Sequence, residues 1–196
     1  MFTGIVTDVG RITQVESLAV GRRLTIETAY DTSGMDIGAS IACNGACLTV
    51  TDKAASSFAA DVSGETDDMT TSGDWQVGTR INLERALRAA GELGGHLVLG
   101  HVDGVGQVVR LDAEGDNHRL AIAVPEGLKH YIASKGSVTV DGVSLTVNEV
   151  DDAVFGVNII PHTWENTSLA DLVLGAGVNI EVDVIARYVA RLLERE

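Results

Sequence analysis

What most constrains the fold of this chain is that its sequence repeats. Gly4-Ile-Val-Thr-Asp-Val-Gly10 and Gly100-His-Val-Asp-Gly-Val-Gly106 share two glycines and two valines in register at an offset of 96. The same offset pairs Arg23-Leu24-Thr-Ile26 with Arg119-Leu120-Ala-Ile122. At an offset of 97, Ser40-Ile-Ala-Cys-Asn-Gly-Ala-Cys-Leu-Thr-Val50 matches Ser137-Val-Thr-Val-Asp-Gly-Val-Ser-Leu-Thr-Val147, Phe58 matches Phe155 and Thr66 matches Thr163. Gly78-Thr-Arg-Ile81 resembles Gly177-Val-Asn-Ile180. The blocks are collinear over nearly all 196 residues, so the chain reads as two copies of one module, 1–95 and 96–183, followed by a tail, 184–196. A repeat of ~95 residues is too long for a solenoid unit and has the size of a small domain.

Within each copy the texture is β. Gly10-Arg-Ile-Thr-Gln-Val15 and Arg23-Leu-Thr-Ile-Glu-Thr28 alternate apolar and polar residues, as a half-buried strand does. Asn44-Gly45 and Asp141-Gly142 are hairpin dipeptides, because both positions of a type I′ turn need positive φ. Short strands with regular turn signals predict an all-β barrel or sandwich. Two stretches read as helix. Glu84 to Ala90 is short and alanine-rich and runs into Gly91. In the tail, Ile185, Tyr188, Val189, Leu192 and Leu193 fall on one helical face, with Arg187, Arg191, Glu194, Arg195 and Glu196 elsewhere. A helix of about twelve residues is marginal alone in water, so this one must pack on its own barrels or on another subunit.

The formal net charge of −14 disfavours phosphate-rich partners, and scarce aromatics leave no stacking platform for bases, so neither nucleic acid nor an anionic membrane is expected. No run of ~20 apolar residues is long enough to span a bilayer. The opening Met-Phe-Thr-Gly-Ile-Val lacks the basic start of a signal peptide, which points to the cytoplasm. Read as members of one strand, Cys43 and Cys47 share a face and lie roughly 13 Å apart, too far for a disulfide. Their spacing also fails a metal pattern. His96 and His101 lack a carboxylate cluster at ligand spacing, so no metal is expected.

Taken together, Met1-Phe-Thr-Gly-Ile-Val6, Asn44-Gly-Ala-Cys-Leu-Thr-Val50, Gly94-Gly-His-Leu-Val-Leu-Gly-His101, Asp141-Gly-Val-Ser-Leu-Thr-Val147 and Ile160-Pro-His-Thr163 resemble the riboflavin synthase α-chain family over essentially the full length. The resemblance implies two six-stranded Greek-key β-barrels and a C-terminal α-helix. It implies a transferase that dismutates two molecules of 6,7-dimethyl-8-ribityllumazine into riboflavin and 5-amino-6-ribitylaminopyrimidinedione, without a cofactor. It further implies a homotrimer with sites between subunits, and an association with lumazine synthase. A lumazine- or flavin-binding protein without activity is the main alternative. A flavin-reductase-like oxidoreductase would need a nicotinamide domain, for which residues beyond 183 leave no room.

By the same resemblance the first module's ligand contacts are Gly4, Ile5 and Val6, with Cys47, Leu48 and Thr49. The loop Asp61, Val62, Ser63, Gly64, Glu65 and Thr66 joins them. The second module's contacts are Gly100, His101 and Val102, with Ser144, Leu145 and Thr146. Ile159, Ile160, Pro161, His162, Thr163 and Trp164 join those, and Lys135 reaches a ligand. Chemistry is expected from His101, because imidazole is the side chain suited to proton transfer, and from Ser144, Thr146, Cys47, Ser40 and Asp183. Asp183 could equally cap the tail helix. The repeat breaks where Cys47 becomes Ser144 and Ile5 becomes His101, as expected if the two modules host different steps. Asp67-Asp68-Met69-Thr70-Thr71 departs from the family pattern and makes the first rim more acidic.

Overall fold

The computed structural model describes residues 1–194, so Arg195 and Glu196 of the tail lie outside the described residues. The first half contributes β1 (Asp8–Ser17), β2 (Arg22–Glu27), β3 (Ser40–Cys43), β4 (Ala46–Ala54), β5 (Ser57–Val62), the short helix α1 (Gly64–Met69) and β6 (Arg80–Arg85). The second half contributes β7 (Gly104–Glu114), β8 (Asn117–Ala123), β9 (Ser137–Val140), β10 (Val143–Asp151), β11 (Val154–Ile159), α2 (Pro161–Glu165) and β12 (Gly177–Val182), and α3 (Val184–Leu193) follows. Each half closes into a six-stranded antiparallel barrel, in the cyclic order β1-β2-β5-β4-β3-β6 and β7-β8-β11-β10-β9-β12. These are the two barrels that the repeat and the resemblance predict.

Closure needs curvature, and the repeat supplies it twice. Register shifts fall between Ile12 and Gln14 and between Val50 and Asp52 in the first barrel. They recur between Val108 and Arg110 and between Val147 and Glu149 in the second. Such bulges bend a strand and raise its twist. Inward residues alternate along each strand and fill two separate cores. Leu24, Ile26, Leu48 and Phe58 in one correspond to Leu120, Ile122, Leu145 and Phe155 in the other. Cys43 takes the place that Val140 holds in the second core, so it serves as a small apolar side chain.

Both hairpin dipeptides adopt the expected turn, with φ of 42° and 82° at Asn44 and Gly45 and of 47° and 77° at Asp141 and Gly142. The two turns meet at the seam between the barrels. Asn44 Oδ1 accepts the Asn82 N–H at 2.7 Å, and Asp141 Oδ1 accepts the Asn179 N–H at 2.8 Å. The side-chain amides then cross over, Asn82 Nδ2 donating to the Asp141 carbonyl at 3.0 Å and Asn179 Nδ2 to the Asn44 carbonyl at 2.8 Å.

Three local expectations are corrected, and an open fourth is narrowed. Residues 84–90 form no helix: Glu84 and Arg85 end β6, paired with Ala42 and Ile41 of β3, and the chain then runs irregularly to Gly91. A ladder partner outweighs the alanine-rich helix propensity of so short a segment. Cys43 and Cys47 do not share a strand. They flank the Asn44-Gly45 turn, where Cys43 pairs with Ala46 and Cys47 with Ala42, so one thiol points into the core and the other out of the barrel. The counterpart of Gly78 is Gly175, with φ of 97° and 88°, rather than Gly177, which opens β12. Finally, α3 does form, but its apolar face is not buried against its own barrels: Ile185, Tyr188, Val189, Leu192 and Leu193 are 50–70% exposed.

Candidate functional site

The site is built by an exchange between the two halves. Phe2 and Val98, each in the segment leading into its barrel, bridge one another, with N–H···O distances of 2.7 and 3.2 Å. Phe2, Val98 and Ala42 form a small core of their own, packed against Cys47. From this bridge each lead-in passes to the opposite barrel. The Gly4 carbonyl accepts the Ser144 N–H at 2.8 Å, and the Gly100 carbonyl accepts the Cys47 N–H at 2.8 Å. Both glycines are left-handed, at φ of 76° and 80°, and a Cβ on either would sit 2.6 Å from the Cβ of Ser144 or Cys47. Only glycine fits such a backbone at such a distance.

The grouping expected from the sequence is therefore corrected. Gly100, His101 and Val102 do not join Ser144. They line a cavity of about 330 Å³ with Ala46, Cys47, Glu65, Thr66, Met69 and Thr70 of the first half. Gly4, Ile5 and Val6 line one of about 130 Å³ with Val143, Ser144, His162, Thr163, Asn166 and Thr167 of the second half. Each pocket thus takes a hairpin strand and a short helix from one half and a lead-in from the other. A larger cleft of about 450 Å³ lies at the seam, lined by both hairpin turns but by none of the expected ligand-contact or catalytic residues. Chemistry, not volume, selects the two smaller sites.

The remaining expected residues divide by face. Leu48, Val62, Leu145 and Ile159 point into the cores, so only their backbones face outward. Ser40 pairs with Thr49 and Ser137 with Thr146, which places Thr49 and Thr146 beside the sites but outside both cavities. Asp61 is occupied by Arg23 in two hydrogen bonds of 2.7 and 2.9 Å, which hold its carboxyl below the usual range. Ser63 caps α1 by accepting the Thr66 N–H, with Gly64 opening the helix. Pro161 occupies the first turn of α2 after the exposed Ile160, and Trp164 stacks on His118 with ring centroids 3.8 Å apart. Lys135 is exposed and lines neither cavity.

The sequence reading missed one group of consequence. His96 Nδ1 and Ser144 Oγ are 2.8 Å apart. Burial pushes the His96 pKa down, opposed in part by the Asp183 carboxylate, and Nε2 is buried without a protein partner. A neutral imidazole can accept the Ser144 proton. Sequence alone offered only its nearness to His101, whereas the partner lies 48 residues away. Asp183 does cap α3, accepting the Ile185 N–H at 2.9 Å, and its charge also reaches His96.

The lumazine binding domain model matches residues 3–86 and again 99–183. The chain belongs to the lumazine-binding family. Both lumazine-binding repeats therefore begin at the lead-ins and end with the last strand of their barrels. Among curated proteins the chain is 47% identical to riboflavin synthase of Brucella abortus, over 99% of this chain and 98% of that one. It is 38% identical to riboflavin synthase of Bacillus subtilis, over 100% of this chain and 91% of the relative. Among solved structures, LumP complexed with riboflavin superposes with a TM-score of 0.86 at 27% identity, covering 93% of this chain and 99% of LumP. LumP complexed with 6,7-dimethyl-8-(1'-D-ribityl) lumazine gives 0.84 at the same identity and coverage. Among the described residues of this lumazine-binding chain, no helix is long and apolar enough to cross a membrane.

Proposed function

We infer that the chain is a riboflavin synthase. It transfers a four-carbon unit between two molecules of 6,7-dimethyl-8-ribityllumazine, giving riboflavin and 5-amino-6-ribitylaminopyrimidinedione. The observation that carries this reading is the pair of pseudo-equivalent sites, framed by the same backbone but armed with Cys47 and His101 in one and Ser144 and His96 in the other. One substrate used twice, once as donor and once as acceptor, calls for such a pair.

Orientation of two bound lumazines supplies the larger part of the rate, roughly 7–11 kcal/mol where the geometry is good. Proton transfers at the acidic C7 methyl add roughly 10²–10⁴-fold. The methyl is acidic because the lumazine ring delocalises its carbanion, so no metal or organic cofactor is invoked. Neutral His96, through Ser144, takes and returns a proton at the second site, and His101 serves the first. Cys47, Ser40, Thr49, Thr146 and Lys135 contact ligand, and Asp183 tunes His96.

The unburied apolar stripe of α3 supports self-association, read here as a homotrimer in which the first site of one chain faces the second site of a neighbour. The protein acts in the cytoplasm, in reach of lumazine synthase. LumP holds both lumazine and riboflavin, which makes a purely binding protein the second reading. Incubation with 6,7-dimethyl-8-ribityllumazine alone separates the two. One riboflavin formed per two lumazines consumed supports the enzyme, and tight fluorescent binding without turnover supports the binding protein.

A further inference from the structure

Each barrel ends in a buried glutamate that the proposed reaction does not use. Glu84 of β6 is 7% exposed and Glu181 of β12 is 2% exposed. Burying a carboxylate is costly unless its oxygens are satisfied, and here both oxygens of each go to one lead-in segment. Glu84 Oε1 accepts the Thr3 N–H at 2.7 Å and the Thr3 hydroxyl at 2.8 Å, and Oε2 accepts the Gly4 N–H at 2.9 Å. The Thr3 hydroxyl in turn accepts the Ile5 N–H at 3.2 Å. Glu181 Oε1 accepts the Leu99 N–H at 2.7 Å, and Oε2 accepts those of Gly100 and His101 at 2.9 and 3.1 Å. Three bonds to successive groups fix a short stretch of backbone in place. The stretches so fixed are those that cross to the other half, where Gly100 meets Cys47 and Gly4 meets Ser144.

We propose that Glu84 and Glu181 are positioning residues that act on the opposite site: Glu181 sets the Cys47 site through Gly100 and His101, and Glu84 sets the Ser144 site through Gly4 and Ile5. The proposal rests on reading the two cavities as flavin-type ligand sites. It separates from plain structural support, because a glutamate that only buttressed its own barrel would, when replaced, damage the site on that barrel. A crossed pattern of damage is the signature of the clamp.

Cys47 provides the readout, since it lines the first site and Cys43 is fully buried. Alkylation of Cys47 by iodoacetamide is followed by mass spectrometry at increasing riboflavin, in the unaltered protein, E181Q and E84Q. Glutamine keeps one acceptor oxygen and turns the other into a donor that cannot serve the remaining N–H groups. The riboflavin concentration giving half-protection is expected to rise roughly ten-fold in E181Q and to stay within about two-fold in E84Q, since leaving buried N–H groups without their acceptor costs about that factor or more. Equal protection in all three proteins, or a larger shift in E84Q, overturns the clamp. If E181Q does not fold, Glu181→Asp, one methylene short of the same N–H groups, takes its place. Failure of riboflavin to protect Cys47 in the unaltered protein would overturn the ligand-site reading instead. The clamp is then decided by hydrogen exchange, which must speed up at residues 98–103 in E181Q and stay unchanged there in E84Q.

Discussion

In the first half Arg22 is held by Asp67 through two hydrogen bonds of 2.8 Å and also donates to the Trp75 carbonyl at 3.1 Å. At the equivalent place in the second half, His118 stacks on Trp164 at an interplanar angle of 6°. The first arrangement satisfies its polar atoms. The second does not: among the described residues, the three buried side-chain polar atoms without a partner are His96 Nε2, His118 Nδ1 and Asn158 Oδ1, all in the second half. The duplication has kept the frame, the bulges and the crossed lead-ins in both copies. It has let the side chains drift until one site is roomy, about 330 Å³, and the other tight, about 130 Å³.

The comparison breaks most visibly in turnover. Ser144→Ala and His96→Ala are each expected to lower riboflavin formation by roughly 10²-fold, with the double variant no worse than the worse single one, because the two groups act together. A Cys47→Ala loss as large as that of Ser144→Ala, followed by riboflavin absorbance, would remove the asymmetry. Next come the crossing glycines. Gly4→Ala and Gly100→Ala are each expected to cost roughly 2–3 kcal/mol in urea unfolding, from a strained φ and a Cβ clash together. A cost below about 1 kcal/mol at either would show that its lead-in is not pressed against the opposite hairpin.

At the seam, Asp141 stands where the first half has neutral Asn44, and burial pushes its pKa up to about 7. Between the usual Asp value and about 7 the folded chain holds a proton that the unfolded chain has lost. Stability tied to this group is therefore full in acid and is lost as pH rises to about 7. Asp141→Asn copies the first half's solution. It is expected to stabilise the fold by roughly 2 kcal/mol at about pH 8 and by much less at about pH 4, read from urea midpoints. An equal effect at both values would mean that Asp141 is not protonated in the fold. The smallest effect is expected at Lys135, left-handed at φ 66° where the first half has Gly38 at 90°. Lys135→Gly should stabilise by roughly 0.5 kcal/mol while weakening riboflavin binding, the mark of strain kept for function. Tighter binding in that variant would remove Lys135 from the site.

Much of the architecture was legible in the chain itself. Alternation along β1 and β2 and the Asn44-Gly45 and Asp141-Gly142 turns are local signals, and each appears in the fold as read. The irregular stretch after β6 misled, because Glu84 and Arg85 follow their ladder partners rather than helix propensity. The tail helix was legible as a helix, yet no pattern within it could say that its apolar side stays half or more exposed. The repeated motifs marked Gly4, Gly100, Cys47 and Ser144, but which lead-in meets which hairpin was not legible in them.

By itself the sequence determined that there are two β modules, where their hairpin turns fall, and which positions differ between the copies. Period-two alternation, positive-φ dipeptides and internal repetition are properties of neighbouring residues or of aligned copies. Tertiary structure alone decided that the lead-ins are exchanged, that Glu84 and Glu181 hold them, and that His96 reaches Ser144. Those contacts join residues 48 or more positions apart. The exchange arises because two closed barrels packed about a common seam set Gly4 against Ser144 and Gly100 against Cys47.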